Sequence, residues 1–220
     1  MKKLVLIVGL ALLGLTGCGV VNNALVEKHK TVEYYRIFDI RTQADRQSVV
    51  DAASNGLGKN VNDAKEASPI FTDELPDKPL RFKLVNPFQG SALGAFAAAG
   101  GNIGFKLATC DGAVWTANAT RTVAGSNQLR LTACLFPYKD GYNLDLYATF
   151  EKVEGGVWQL SRSMASAMVG TPEEWTEKTF LDIVRNVHDV TKAEITYVEG
   201  YPKVTGTPWL DSGENIEASK

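Results

Sequence analysis

The side chains able to do chemistry in this chain are few and widely spaced. Two histidines, His29 and His188, and three cysteines, Cys18, Cys110 and Cys134, supply all its imidazole and thiol groups. His29 lies in a short stretch near the start. His188 falls near the end of a predicted helix, where an imidazole suits the negative end of the helix dipole. Neither has further ligands at metal-binding spacing, so no metal and no other cofactor is expected. Hydrolase constellations are missing too: there is no Gly-x-Ser-x-Gly elbow, no His-Glu-x-x-His and no phosphate-cradling Gly-Lys-Ser/Thr loop. Asp182, His188 and Asp189 share a helix without a nucleophile beside them, and Glu173-Glu174 have a structural task at its start. Acid-bearing turns near residues 73–77 and 139–141 lack calcium-loop spacing. Without a Cys-x-x-Cys motif, dithiol redox chemistry is not expected. The aromatics remain. Trp115, Trp158 and Trp175, with Tyr34, Tyr147 and Tyr197, could line a groove between a helix and a sheet and bind an apolar ligand or a partner's segment. The plain alternative makes most of them core.

The N-terminus reads as an address. Met1-Lys2-Lys3 precedes the apolar run Leu4–Leu15, which is too short for a permanent span. Leu15-Thr16-Gly17-Cys18 follows. These four residues resemble the lipobox of bacterial lipoproteins, in which small residues precede a cysteine that enters a peptidase site. The resemblance covers residues 1–18 and implies that residues 1–17 are a signal peptide. It also implies that Cys18 takes a diacylglyceryl group on sulfur, becomes the mature N-terminus and is acylated (palmitate or a similar chain) on its amine. A cysteine with three chains meets the requirement for stable attachment, which a single chain does not. Gly19, not Asp, comes next. In Gram-negative members of this class Asp there favours inner-membrane retention, so in such a source the resemblance implies the outer membrane, facing the periplasm. The ordinary alternative is an unlipidated signal peptide with a chance cysteine.

With Cys18 assigned to the anchor, Cys110 and Cys134 form an even pair in an oxidising compartment, where a disulfide is expected. The chain-entropy estimate for such a bond is roughly 3 kcal/mol. A plain β-meander sets the two positions apart with a strand between them, yet a disulfide needs Cα atoms ~4.4–6.8 Å apart. A bulge or twist, a different strand order, or two free thiols would each resolve the conflict. Removing Lys2 and Lys3 with the leader lowers 23 basic residues to 21 against 25 acidic ones, so the net charge goes from −2 to −4. That balance argues against nucleic acid as a partner. An acidic domain also gains nothing from the field of an anionic lipid surface, so the acyl chains, not a basic patch, are expected to hold it. The expected partners are the membrane, through the lipid, and an envelope protein.

These features need a scaffold. A chain of 220 residues, 45% apolar and 22% charged, can enclose one proper core and is neither disordered nor collagen-like. Residues 18–30 read as the lipidated cysteine and a tether reaching roughly 40 Å at full extension. Residues 31–200 read as a single domain and 201–220 as a flexible tail. Thr31–Ile40 alternates as a strand, with Arg36 interrupting the face of Val32, Tyr34, Phe38 and Ile40. Thr42, with Asp45 three residues on, suggests a capped helix that buries Val49, Val50, Ala53 and Leu57 and stops at Gly56 and Gly58. Prolines interrupt residues 59–89, although Leu80–Val85 alternates. Gly90–Gly104 is rich in small residues, either a lid or contact segment or a short Ala-rich helix.

A run of strands follows. Asp111-Gly112 predicts a hairpin between Ile103–Cys110 and Ala113–Val123. Further strands carry Leu129, Leu131, Ala133 and Leu135, then Leu144, Leu146, Ala148 and Phe150, then Val157–Ser163. Thr171-Pro172-Glu173-Glu174 caps the clearest helix, with Phe180, Ile183, Val184, Val187 and Val190 on one face. Glu194–Val198 ends the series as a strand. The expected fold is α+β: an antiparallel β-meander packed against one long C-terminal helix and a shorter N-terminal helix. The element order is loosely similar to helix-grip domains and to small domains of bacterial envelope lipoproteins, and it transfers no site. The expected role is a non-catalytic binding or envelope-maintenance function. The alternatives are a carrier of a small apolar ligand or lipid in the helix–sheet cleft, and after that an enzyme.

Overall fold

A computed structural model of the chain describes residues 28–61, 63–70, 74–88, 90–91, 106–122, 128–154 and 171–204. Two contact units divide the chain, residues 1–30 with 152–169 and residues 31–151 with 170–220. The architecture below is that of the second unit.

Strand β1 (Lys28–Arg41) begins slightly ahead of the alternation that announces it. Helix α1 (Arg46–Gly58) starts later than Thr42 suggested, because Asp45 is its N-cap. The Asp45 carboxylate accepts the Ser48 backbone N–H at 3.1 Å and the Ser48 hydroxyl at 2.6 Å. A charged, two-oxygen acceptor at the positive end of a helix outcompetes a lone hydroxyl. Thr42 instead accepts the Ala44 N–H and shapes the entry turn. Strand β2 (Ala64–Ala67) follows in a stretch where no alternation marked it.

Strands β3 (Lys83–Val85) and β4 (Leu107–Thr109) pair with each other in a separate two-stranded sheet. Only the last half of the alternating Leu80–Val85 run is strand. Then come β5 (Trp115–Thr122), β6 (Gln128–Tyr138), β7 (Gly141–Glu154), α2 (Pro172–Thr191) and β8 (Glu194–Tyr201). The main sheet has the order β2-β5-β6-β7-β1-β8. Its β2/β5, β5/β6, β6/β7 and β1/β8 pairs are antiparallel. Among the described residues, six antiparallel strands with two helices make the fold α+β, as expected.

Period-two alternation decides which side of the sheet becomes core. Leu131 lies opposite Ala148, Ala133 opposite Leu146, and Leu135 opposite Leu144. This face joins Phe38 and Ile40 of β1, Val49, Ala53 and Leu57 of α1, and Phe180, Ile183, Val184 and Val187 of α2 in one buried cluster. Helix α2 starts on the expected capping box, with Thr171 and Glu174 each accepting the other's backbone N–H and Pro172 opening the first turn. Asn186 donates across the helix pair to the Ala52 carbonyl at 2.7 Å.

The Asp111-Gly112 turn does not close the predicted hairpin. Strand β4 pairs with β3, while the neighbours of β5 are β2 and β6. Gly112, at φ +86°, lets the chain leave the small sheet and enter the main one. The small sheet covers the outer face that alternation marked as polar. There Phe82 and Cys110 pack on Ala113, Cys134 and Phe136. The predicted strand Val157–Ser163, most of the Gly90–Gly104 stretch and residues 205–220 lie outside the described residues.

At Gly56, α1 packs directly on the backbone of α2. A Cβ there would sit 2.6 Å from Ile183 Cα and 2.8 Å from the Asp182 carbonyl oxygen, both backbone atoms. Gly56→Ala, which in an open helix would stabilise by ~0.5–1 kcal/mol, is therefore expected to destabilise by about 1–3 kcal/mol. Urea unfolding followed by circular dichroism would show a lower midpoint at unchanged slope.

Candidate functional site

Cys110 and Cys134 are joined, with Cα atoms 5.5 Å apart. Of the three ways to reconcile this pairing with the strands, the different strand order is the one found. Cys134 points outward from β6, opposite Thr116 on β5 and Asp145 on β7. Cys110 belongs to the layer above and comes down onto it. Cys18 and Trp158 lie outside the described residues.

Among the described residues, the aromatics expected to line a groove divide between the core and the two faces of the sheet. Trp115 is 1% exposed, sits in the main core and donates its indole N–H to Glu66 on β2 at 2.9 Å. Trp175 is half-buried, and the Arg121 guanidinium stacks on it 5.0 Å from the ring centre. Tyr34 and Tyr197 do face the helices, against Phe150 and Phe38. Tyr147 is on the opposite face, 5.5 Å from the Phe82 ring. Strand alternation explains the split: Leu146 and Ala148 point to the helices, so Tyr147 between them cannot.

Two clusters that sequence reasoning did not single out hold the buried polar groups. The first lies under the small sheet. Asp145 is fully buried; it accepts the Phe82 backbone N–H at 2.9 Å and the Asn143 side-chain amide at 2.6 Å. Burial pushes its carboxyl up to about 6, against the opposing pull of the Phe82 N–H, Arg81 and Asn143. Nearby, Tyr138 donates to Asp39 at 2.6 Å, and burial with that bond pushes its hydroxyl up to about 12. The Tyr147 hydroxyl is buried and short of hydrogen-bonding geometry; burial first, then the Glu33 charge, raise it well above the usual tyrosine range. Lys139 closes the edge of this layer, through its backbone N–H to the Pro76 carbonyl and its ammonium to Asp77. What such an arrangement can do is hold or release a proton in a sealed place. Alternation could show that Asp145 faced outward, but nothing marked that a second layer would cover it.

The second cluster lies on the helix side. Arg36, 1% exposed, pairs with Glu177 of α2 and donates to the carbonyls of Tyr35 and Pro202 at 2.8 and 2.9 Å. Arg36 Nε and Glu177 Oε2 are buried with no hydrogen-bond partner among the described residues. Burial raises the Glu177 carboxyl while Arg36 draws it down. The interruption that Arg36 made in the apolar face of β1 was the signal for this pair. His188 lies in the last turn of α2, its ring 3.3 Å from the Asp189 carboxylate. Among the described residues, no three His, Cys, Asp or Glu side chains are grouped so as to hold a metal ion. No helix among them is long and apolar enough to cross a membrane.

No family model matches the chain. No curated protein matches it either. Among solved structures, a conserved protein from Geobacillus kaustophilus is similar over 74% of this chain and 98% of its own, at 10% identity and a TM-score of 0.28. That likeness is too slight to bear on fold or function.

Asp145 makes stability depend on pH. Its folded pKa lies above the ordinary 3.8, so the folded state binds the proton more tightly than the unfolded state. The resulting stabilisation is fully present below pH ~4 and is lost as pH rises through about 6, on the order of 2–3 kcal/mol in all. In Asp145→Asn, whose amide oxygen can still accept the Phe82 N–H, urea midpoints measured from pH 4 to 7 are expected to lose this downward slope. Replacing Cys110 and Cys134 together by serine is expected to cost about 2–4 kcal/mol. Hydrogen exchange would locate the loosening in β3 and β4, with β6 and β7 still protected.

Proposed function

We propose that this protein is a lipid-anchored envelope protein that works by binding a partner or maintaining the envelope. The observation that carries the reading is the leader of Lys2-Lys3, a short apolar run and Leu15-Thr16-Gly17-Cys18. The Cys110–Cys134 bond agrees with it, since such bonds persist outside the reducing cytosol. The lipid holds the folded domain near the membrane, and Gly19 after the cysteine favours the outer membrane in a Gram-negative source.

Binding at the surface is favoured over carriage of a ligand by how the helix–sheet interior is occupied. Phe38, Ile40, Leu57, Phe180, Ile183 and Val184 fill its described part and are fully buried. The two buried polar clusters, at Asp145 and at Arg36 with Glu177, join layers of the fold to one another, which supports a structural role for them over a catalytic one.

Cells fed an alkyne analogue of palmitate are expected to label the protein on Cys18 and recover it with membranes. Cys18→Ser is expected to abolish the label and release the chain to the soluble or unprocessed fraction. A labelled Cys18→Ser protein, or an unlabelled wild type, would defeat the reading. Crosslinking in intact cells would then look for an envelope partner.

A further inference from the structure

The Cys110–Cys134 bond has two unlike ends. Cys134 is 1% exposed and lies on the covered face of β6, with Asp145 of β7 directly opposite. Directly opposed residues of neighbouring strands hold their Cβ atoms roughly 4.5–5.5 Å apart, so sulfur and carboxyl share one closed space. Cys110 sits at the rim. It is half-buried, follows β4 and leads into the exposed Asp111-Gly112 turn.

Exchange at a disulfide begins when a thiolate attacks one sulfur, and access decides which. Attack therefore falls on Cys110, and the sulfur expelled is that of Cys134. Ala113, Phe136 and Phe82 pack around the bond. A thiolate released among such groups is poorly solvated and needs a proton. Asp145 is placed to supply one. Its two oxygens are held by the Phe82 N–H and the Asn143 amide, and burial pushes its carboxyl up to about 6. That is still below a thiol's ordinary value of about 8.5, so transfer to the sulfur runs downhill. The charged and titratable groups around it are Arg81 ahead of β3, Glu199 of β8, Tyr147 of β7 and the Tyr138–Asp39 pair of β6 and β1. Lys83 with Asp111, and Lys106 with Glu33, close the rim of the cover.

We propose that the Cys110–Cys134 bond is a substrate site for a protein dithiol, attacked at Cys110, with Asp145 giving its proton to the Cys134 thiolate. The partner's thiolate forms a bond to Cys110 Sγ as the Cys110–Cys134 bond breaks, and the electron pair leaves on Cys134. The Asp145 proton then moves to that sulfur. The partner's second thiol loses its proton to water and attacks the partner's own sulfur in the mixed disulfide. Cys110 leaves as a thiolate and takes a proton from water. Two electrons have passed to this chain, and the dithiol is left as a disulfide. Cysteines far apart in sequence suit the substrate of such exchange, whereas a Cys-x-x-Cys pair suits the dithiol. Reduction removes the covalent tie of the β3–β4 cover and leaves a carboxylate beneath it, and both changes loosen the cover. None of these steps involves the lipid anchor.

The test uses the full-length Cys18→Ser form, in which Cys110 and Cys134 are the remaining cysteines. A Cys-x-x-Cys protein whose second cysteine is replaced by serine is expected to be trapped on Cys110, as located by peptide mass. Reduction by dithiothreitol is quenched by alkylation and expressed per unit of thiolate. In the Cys18→Ser form this rate is expected to fall about tenfold from about pH 5 to about pH 7, as Asp145 gives up its proton. With Asp145→Asn added, it is expected to be flat over that range and about tenfold slower at the acid end. A purely structural Asp145 gives the reverse, faster reduction under a loosened cover. Trapping on Cys134, a parent rate per thiolate that ignores pH, reduction of the Asp145→Asn form as fast as its parent, or reduction seen only in unfolding urea overturns the proposal. Should Asp145→Asn fail to fold, the trapped sulfur and the parent's pH profile decide.

Discussion

Burial of β6 and β7 on both faces is the constraint to which the rest of the molecule answers. Helices cover one side of this strand pair and the small β3–β4 sheet covers part of the other, so polar groups there have no water to turn to. Asn143 and Asp145 are 1% and 0% exposed, and each depends on the other for a hydrogen bond. The Phe82 N–H supplies the carboxyl with its second donor and positions the covering segment. A disulfide fastens the same segment at Cys134, one strand over from Asp145. A three-residue strand pair could not hold itself against a sheet by hydrogen bonds alone. The covalent bond and the buried carboxyl do what its own core is too small to do.

The helix side uses a different device. Arg36 of β1 reaches Glu177 of α2 and the carbonyl of Pro202 after β8, so one side chain ties three segments that are distant in sequence. Buried ion pairs add little net stability compared with apolar packing, but removing one partner leaves a charge stranded. The pair therefore acts chiefly as a restriction on how β8 and the start of α2 sit against β1. Further along α2, the close contact at Gly56 admits the backbone of Asp182 and Ile183.

How far the sequence could be read depended on how local the physics was. Strand alternation in β1, β6 and β7 and the Thr171–Glu174 capping box are set by neighbours a few residues apart, and they were legible. The cover over Asp145 was not, because it depends on β3 and β4 meeting across twenty-one intervening residues of weak pattern. The Asp111-Gly112 signal was real as a turn and misleading as a hairpin: a turn dipeptide fixes the local path of the chain, not which strand receives it. The pairing of Cys110 with Cys134 was readable from cysteine arithmetic, while its geometry waited on that same strand order. Trp115 and Tyr147 were placed in a common groove by residue type, and alternation sends them to opposite faces.

β1 lies inside the sheet, with β7 on one flank and β8 on the other. Seven residues, Tyr35–Arg41, pair with β8, and β1 runs on past Tyr201, the C-terminal end of β8, toward Lys28. Tension along β1, applied from the chain ahead of it, would be shared at once by ladders on both flanks instead of unzipping one bond at a time. Survival under such a pull is set by the rate of forced unfolding, not by equilibrium stability. Drawn from its N-terminal side, β1 would thus resist as a strand held by a neighbour on each flank.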